Sequence, residues 1–174
     1  MPSGRTHDQI TLWCLPLVIG ITYGLTRSPV ITAITTIAYL VGGLMLGPDL
    51  DIHSIQYKRW GPIRWIWLPY QIALPHRSRF SHGPLIGTAL RVIYLAVWIA
   101  LLGLISVEIL NALWDAQLSS SSLSNTFVYL INHYLTEWFA ILIGLEIGAM
   151  SHSISDFMSS YFTRKKRRQK KRRH

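Results

Sequence analysis

The chain has one cysteine, Cys14, and few acidic residues: eight Asp and Glu stand against 17 Lys and Arg in 174 residues. A single cysteine excludes an internal disulfide and a metal site built from several thiolates. Neither a four-cysteine pattern nor an HExxH motif occurs in the sequence. Any metal site must therefore be assembled from histidines and carboxylates.

The surplus of positive charge is concentrated in one segment. Nine of the 17 basic residues lie in residues 164–174, RKKRRQKKRRH, and the preceding body is nearly neutral. Such a segment typically orients a membrane protein and contacts anionic lipid headgroups, and we expect no specific nucleic-acid partner. We predict one domain over residues 1–163 and a basic, disordered tail over residues 164–174.

Apolar runs are abundant. Half of the residues are hydrophobic, and about 20 consecutive apolar residues suffice to cross a membrane. Thr6 to Gln9 reads T-x-x-Q, a capping box that would start the first and shortest run earlier. We predict an all-α, polytopic membrane protein with about four transmembrane helices, near Ile10 to Leu25, Pro29 to Gly47, Pro84 to Val107 and Tyr134 to Ser151.

Four crossings place both termini and residues 48–83 on one side of the membrane. Arg27 is then the only basic residue on the other side, apart from Arg91 inside the third run. By the positive-inside rule the basic side is cytoplasmic. We predict a multi-pass protein of the inner (plasma) membrane with both termini in the cytoplasm.

Two further segments have membrane-surface character. Residues 58–70, KRWGPIRWIWLPY, combine aromatic and basic side chains as an interfacial belt or short surface helix does. On the opposite side, the serine-rich residues 117–125 read as a loop, followed by a short apolar patch over residues 127–131. The belt would place the cytoplasmic mouth of the protein at the level of lipid headgroups.

Residues able to bind a metal converge on the cytoplasmic ends of the four runs. Each motif alone is weak: a lone His is more often a surface residue, and paired loop acids are often merely solvated. Their shared location is the stronger signal, and it predicts a site at the cytoplasmic face. The predicted metal ligands are His7, Asp49, Asp51, His76, His82, His152 and Asp156.

The spacing of these residues indicates their chemistry. His152 and Asp156 are four apart and share one helix face, while Pro48 places Asp49 and Asp51 on a rigid turn. The mixed nitrogen and oxygen set favours zinc as the divalent ion, with manganese or iron as alternatives. In a catalytic site, Asp49 or Asp51 would act as general base. In HRSRFSH, Arg77 and Arg79 would hold an anionic substrate between His76 and His82.

Two ionisable residues lie at similar depth inside apolar runs. Arg91 follows the start of the third run, and Glu146 precedes the end of the fourth. Intramembrane charges commonly pair, so an Arg91–Glu146 ion pair is one interpretation. A protonated Glu146, or one that points into a polar cavity, is the alternative.

Four segments in order, PSGRTHD, GGLMLGPDLD, HRSRFSHGP and SHSISD, resemble a family of small bacterial membrane proteins described as uncharacterised metal-binding proteins. The chain is also similar to the broader group of membrane-bound predicted metal-dependent hydrolases. The resemblance implies a cytoplasmic-face site built from the seven residues above.

Two function classes follow. The first is a metal-dependent hydrolase acting on a phosphoester or lipid-linked substrate at the cytoplasmic leaflet. The alternative is a non-catalytic metal-binding or scaffold subunit of a membrane complex, in which closed coordination leaves no place for water. A plain packing subunit without metal is a third reading. The sequence leaves substrate and oligomeric state open.

Overall fold

The computed structural model describes residues 4–75, 78–114 and 119–171. Within these ranges every regular element is helical, which confirms the all-α prediction. Two short 3-10 helices cover Pro48–Asp51 and Gly61–Trp67. The α-helices are α1 (Gly4–Thr26), α2 (Pro29–Leu44), α3 (Ile55–Lys58), α4 (Leu68–Ala73), α5 (Arg79–His82), α6 (Ile86–Trp114), α7 (Ser120–His133) and α8 (Leu135–Lys171).

Helices α2 and α8 pack most closely, and α1 lies against both. Glycines allow this approach: a Cβ on Gly42 would collide with the backbone of Leu145, and one on Gly148 with the carbonyl of Tyr39. Small residues at such crossings let helix backbones come together. The Tyr39 hydroxyl also donates to the Thr11 carbonyl at 2.9 Å, which ties α1 to α2.

The segment between α2 and α5 folds into a small core against this bundle. Leu50 and Trp67 are fully buried there, and Tyr70 is nearly so. The interfacial-belt interpretation is therefore wrong for Trp67 and Tyr70, because their rings pack against each other and against Tyr94 of α6. Trp65 remains half exposed, as a belt residue would be.

Three helices of the described chain are long and apolar enough to cross a membrane: Thr6–Thr26, Ile86–Trp114 and Leu135–Ser155. The predicted count of four is therefore wrong by this criterion, and the short run is α2 rather than α1. The N–H groups of Met45 and Leu46 both bond to the Val41 carbonyl, which ends α2 before Gly47. Its 16 residues reach about 24 Å, less than the roughly 30 Å hydrocarbon core.

Two other segments differ from expectation. The serine-rich region becomes helix α7 from Ser120 onward, because the Ser119 side chain caps the helix by accepting from the Ser121 N–H. Residues 115–118 lie outside the described chain. The backbone of residues 164–171, expected to be disordered, continues α8 as helix. The division between a domain over residues 1–163 and a tail stays a prediction.

Candidate metal centre

The two aspartates lie on the 3-10 helix that follows α2. Pro48 occupies its first turn, and the buried Leu50 side chain anchors it in the small core. The Gln71 amide donates to the carbonyls of Leu50 and Ile52 at 3.0 and 3.2 Å, which holds the turn from the other side. The rigid turn expected from Pro48 is therefore present, and it presents Asp49 and Asp51 next to α5 and α8.

One carboxylate lies between two imidazole rings from distant parts of the chain. His152 Nε2 on α8 is 3.1 Å from Asp49 Oδ2, and His82 Nε2 on α5 is 3.6 Å from Asp49 Oδ1. His82 Nδ1 also lies 3.7 Å from Oδ2 of Asp51. The fold thus brings together four of the seven predicted ligands.

His7 joins this group from α1. Its ring is 4% exposed and stacks on the His152 ring, with 3.9 Å between ring centroids. The N-terminal turns of α1 therefore lie beside the point where residue 152 of α8 meets the aspartate turn. Stacking places His7 next to the carboxylate contacts of His82 and His152.

The remaining predicted residues are not placed. His76 and Arg77 lie outside the described residues. Arg79 begins α5 and Asp156 lies on α8 one turn after His152, but their side chains are outside the described part as well. The exposed His53, a further histidine of this region, contacts the Tyr57 ring.

Two supporting residues were missed by sequence reasoning. The buried Ser81 hydroxyl donates to Asp51 Oδ2 at 2.7 Å and also lies 3.1 Å from the Pro48 carbonyl. Gln56 Nε2 donates to the Gly43 carbonyl at 2.9 Å and lies 3.4 Å from His152 Nδ1. Such outer contacts orient metal ligands. Ser81 precedes His82 directly, which was the available signal, whereas nothing local marked Gln56.

Ser81 is held in turn by the start of α6. Arg91 Nη1 donates to the Ser81 carbonyl at 2.8 Å, and Arg91 Nη2 donates to Thr88 Oγ1 at 3.1 Å. A Cβ on Gly87 would lie 2.5 Å from the Ser81 carbonyl oxygen, so only glycine permits this approach. Arg91 and Glu146 form no ion pair in the described structure; instead, Glu146 Oε1 accepts from the Leu85 N–H at 2.9 Å.

The electrostatic state of Asp49 suits a metal ligand. Burial by itself raises the pKa of this carboxyl group, but hydrogen bonding and charge interaction with His152 and His82 outweigh burial. Together they hold the pKa of Asp49 well below its usual range. Asp49 is therefore a carboxylate anion at neutral pH, the form that coordinates a cation.

The separations among these atoms match a shared ion. Two ligand atoms at about 2.0–2.2 Å from one tetrahedral ion lie about 3.3–3.6 Å apart, close to the Asp49 distances to both rings. As the side chains stand, no three His, Cys, Asp or Glu residues of the described chain converge on one point. The His82 ring faces one aspartate with each nitrogen, Asp49 with Nε2 and Asp51 with Nδ1.

The comparisons with known proteins agree with a metal-binding role. Residues 2–166 match the family described as "Uncharacterized metal-binding protein (DUF2227)". An uncharacterized protein of Aquifex aeolicus (strain VF5) is 30% identical over 131 residues, which cover 74% of this chain and 91% of that protein. No solved structure matches significantly. The similarity to membrane-bound hydrolases stays a prediction. Since the family model covers nearly the whole sequence, the chain belongs to this metal-binding family.

Proposed function

We propose that the chain is a membrane-embedded, divalent-metal-dependent hydrolase that acts on a phosphoester or lipid-linked substrate at the cytoplasmic leaflet. One observation carries this proposal: the ionised Asp49 carboxylate lies between the imidazoles of His152 and His82. Asp49, His82 and His152 come from three separate helices, and an ion bound by all three is a direct reason for them to be brought together. Zinc is the favoured ion, with manganese or iron as alternatives.

The chain's own groups would divide the work. Asp49, His82 and His152 would hold the ion, with Asp51 and His7 beside them and His76 and Asp156 as further predicted ligands. When bound, such an ion polarises a phosphoryl oxygen and lowers the pKa of a bound water to about 7. Asp51 would accept a proton from the attacking water, since Ser81 fixes its orientation. Arg77 and Arg79 would hold the anionic part of the substrate.

Placement in the inner membrane is part of the proposal. Three apolar helices have the required length, and we take α2, which packs against α1 and α8, as a fourth and shorter crossing. The contact between His7 and His152 supports a common side for the start of α1 and the end of the apolar part of α8. The basic residues around 58–79 and in 164–174 favour the cytoplasm for that side. Anionic lipid near the tail is the proposed partner.

Metal analysis of the detergent-purified protein tests the site. We expect about one metal per chain in the native protein and its loss in Asp49→Asn and His152→Ala. Asp8→Asn is the matched control, since Asp8 lies in α1 near His7 but pairs with Arg59. If the protein holds no metal even after loading, the proposal is contradicted and the packing subunit without metal becomes the better account.

A substrate screen then separates the two metal-binding alternatives. Metal-loaded protein should release phosphate or headgroup from defined phospholipids, and Asp51→Asn should reduce this release while retaining most of the metal. Stoichiometric metal without hydrolysis of any lipid or phosphoester would establish the non-catalytic scaffold instead. A loss of metal in Asp51→Asn would move Asp51 from general base to ligand.

A further inference from the structure

A cavity with a few charged and polar groups in a mostly apolar wall opens beside the candidate metal centre. It has a volume of about 270 Å³, lies between the start of α6 and α8, and includes His82 in its lining. Small-molecule pockets commonly occupy about 300–1,000 Å³, so this one suits a small polar group rather than a whole lipid. The side chains that matter here are Ser81, His82, Thr88, Arg91 and Glu146.

Arg91 supplies a buried positive charge to the cavity wall. The residue is 2% exposed, and two of its nitrogens donate to Ser81 and Thr88. Its buried Nε has no hydrogen-bond partner in the described structure. A guanidinium offers five N–H donors, and an unused donor in apolar surroundings is costly. The cavity therefore presents a cation with unused capacity to a ligand.

Glu146 supplies a hydrogen-bond acceptor to the cavity, where Arg91 supplies donors. Glu146 Oε1 accepts a hydrogen bond from the N–H of Leu85. The φ of Leu85 is 62°, a left-handed conformation that residues other than glycine rarely adopt. Glu146 Oε2 is buried without a hydrogen-bond partner among the described residues. Arg91 interacts with Tyr70 and also with the charges of Glu146 and Asp51, so an anion bound there has acidic neighbours. A fitting ligand brings a hydrogen-bond donor along with its negative charge.

We propose that this cavity binds the headgroup of a phospholipid, with the phosphate on Arg91 and an ammonium or hydroxyl donor of the headgroup on Glu146. The proposal rests on the proposed function and names its substrate class. It places the phosphoester bond beside His82, within the same cavity wall. Ethanolamine and glycerol headgroups carry suitable donors, whereas choline carries none.

The surroundings favour a lipid over a water-soluble phosphoester. Met150 and Ile154 line this cavity and also an apolar groove of about 710 Å³ between α1 and α8. Both residues are exposed, at 37% and 54%. A lipid with its headgroup in the cavity can lay its acyl chains across this strip into the groove. Each buried methylene adds about 0.8 kcal/mol, which a soluble headgroup lacks.

Lipid binding to the full chain in detergent tests the proposal, with bound lipid counted by native mass spectrometry. Phosphatidylethanolamine and phosphatidylglycerol should bind about tenfold or more tightly than phosphatidylcholine, because a hydrogen bond to a charged group is lost with choline. The order of the first two identifies ammonium or hydroxyl as the donor. Equal binding of phosphatidylcholine would overturn the proposal, and soluble glycerophosphoethanolamine binding as tightly as the lipid would overturn its lipid assignment.

Matched variants locate the effect. Glu146→Gln keeps the acceptor for Leu85 but replaces the other oxygen with an amide, so the preference over phosphatidylcholine should disappear. Glu137→Gln, nearer the start of α8, should keep it. Arg91→Lys should weaken the binding of all three lipids. Arg91 also holds Ser81, so this variant could lose its fold for another reason; in that case the result for Glu146→Gln is the deciding one. An unchanged preference in Glu146→Gln would refute the site.

The two proposals fail separately. Stoichiometric metal and hydrolysis without any headgroup preference would refute the cavity assignment and leave the metal-dependent hydrolase intact. Headgroup preference that persists in metal-free protein, together with no hydrolysis by the loaded protein, would refute the hydrolase and leave the lipid site intact. Binding is therefore measured in both metal-free and metal-loaded protein.

Discussion

The bundle of α1, α2 and α8 and the helix α6 are both apolar, yet they are built differently. At the crossing of α2 and α8, glycines remove side-chain volume so that backbones touch. The most apolar window of α8 is 39% buried, whereas that of α6, which has the highest mean hydropathy of the candidate spans at 2.4, is 6% buried, as is that of α1. The crossing of α2 and α8 is thus a tightly packed seam, while α6 is largely uncovered.

The difference shows where the candidate site obtains its rigidity. His7 and His152 are carried by the packed bundle, and the aspartates follow directly from α2. Helix α6 reaches the site only through its first turns, where Arg91 and Gly87 meet the carbonyl of Ser81. Most of α6 is free to face lipid or another chain, and its N-terminal end alone supports the metal centre.

The largest effect should come from adding side-chain volume where the glycines of α2 and α8 cross. In Gly148→Ala the new Cβ would meet the Tyr39 carbonyl, and neither backbone can move without separating α2 from α8. We expect about 3 kcal/mol of destabilisation and loss of bound metal. Gly20→Ala on α1 has open space around the new methyl group and should stabilise the helix by up to about 1 kcal/mol. Unfolding in mixed micelles compares the stabilities of the two variants. Equal stability of Gly148→Ala and Gly20→Ala would contradict close packing of α2 against α8.

Two substitutions within α6 distinguish its supporting end from its exposed length. In Gly87→Ala the new Cβ would press on the Ser81 carbonyl and shift the serine that orients Asp51. Metal affinity should fall about 10- to 100-fold, as is usual when an outer-shell contact is lost. Gly103→Ala, with no atom near the new methyl group, should keep full affinity. Competition with a chromogenic chelator measures both, and matching affinities would show that α6 does not support the site.

The same contrast explains which features of the fold and the site could be predicted from the sequence. Ligand types at the ends of apolar runs were sufficient to predict that these residues lie on one face, because helix ends on one side of a bundle are neighbours, but not which of them would contact Asp49. The glycines in α2 are residues that allow close helix packing, but their partner surface on α8 depends on tertiary contacts. The length of α2 was overestimated, since hydropathy continues through Met45 and Leu46 while the hydrogen bonds to Val41 end the helix.

Residues that contribute through a single long-range contact were out of reach. Gln56 has ordinary local sequence, Ser81 is marked only by its place before His82, and the contact of each follows from tertiary folding. The aromatic residues of that segment were read as a membrane belt because composition alone cannot distinguish exposed from stacked rings. Trp67 is buried because three other aromatic rings surround it.

A smaller effect is expected where the core segment contacts the seam. Gln56→Leu removes the donor to the Gly43 carbonyl and the contact with His152, at nearly constant volume. We expect roughly 1–3 kcal/mol of destabilisation from the unsatisfied carbonyl and a metal affinity reduced by about tenfold. Gln9→Leu serves as control and should change neither quantity, because Gln9 is exposed and α1 already includes Gly4, so that the predicted capping box at Thr6 to Gln9 is wrong. Retention of full affinity in Gln56→Leu would remove Gln56 from the site.

The smallest effect should come from the polar edge of the bundle. Asp8 and Arg59 pair directly, with 22% and 32% of their side chains exposed, and Arg59 also donates to the Leu44 carbonyl at 2.7 Å. Water and salt screen a partly exposed pair, so Asp8→Asn should cost only about 0–1 kcal/mol, and less at high ionic strength. Unfolding at low and high salt measures this cost. A loss above this range would mean that the α1 end depends strongly on the Asp8–Arg59 contact, and the division between a glycine-packed bundle and a weakly held α6 would then need to include this contact.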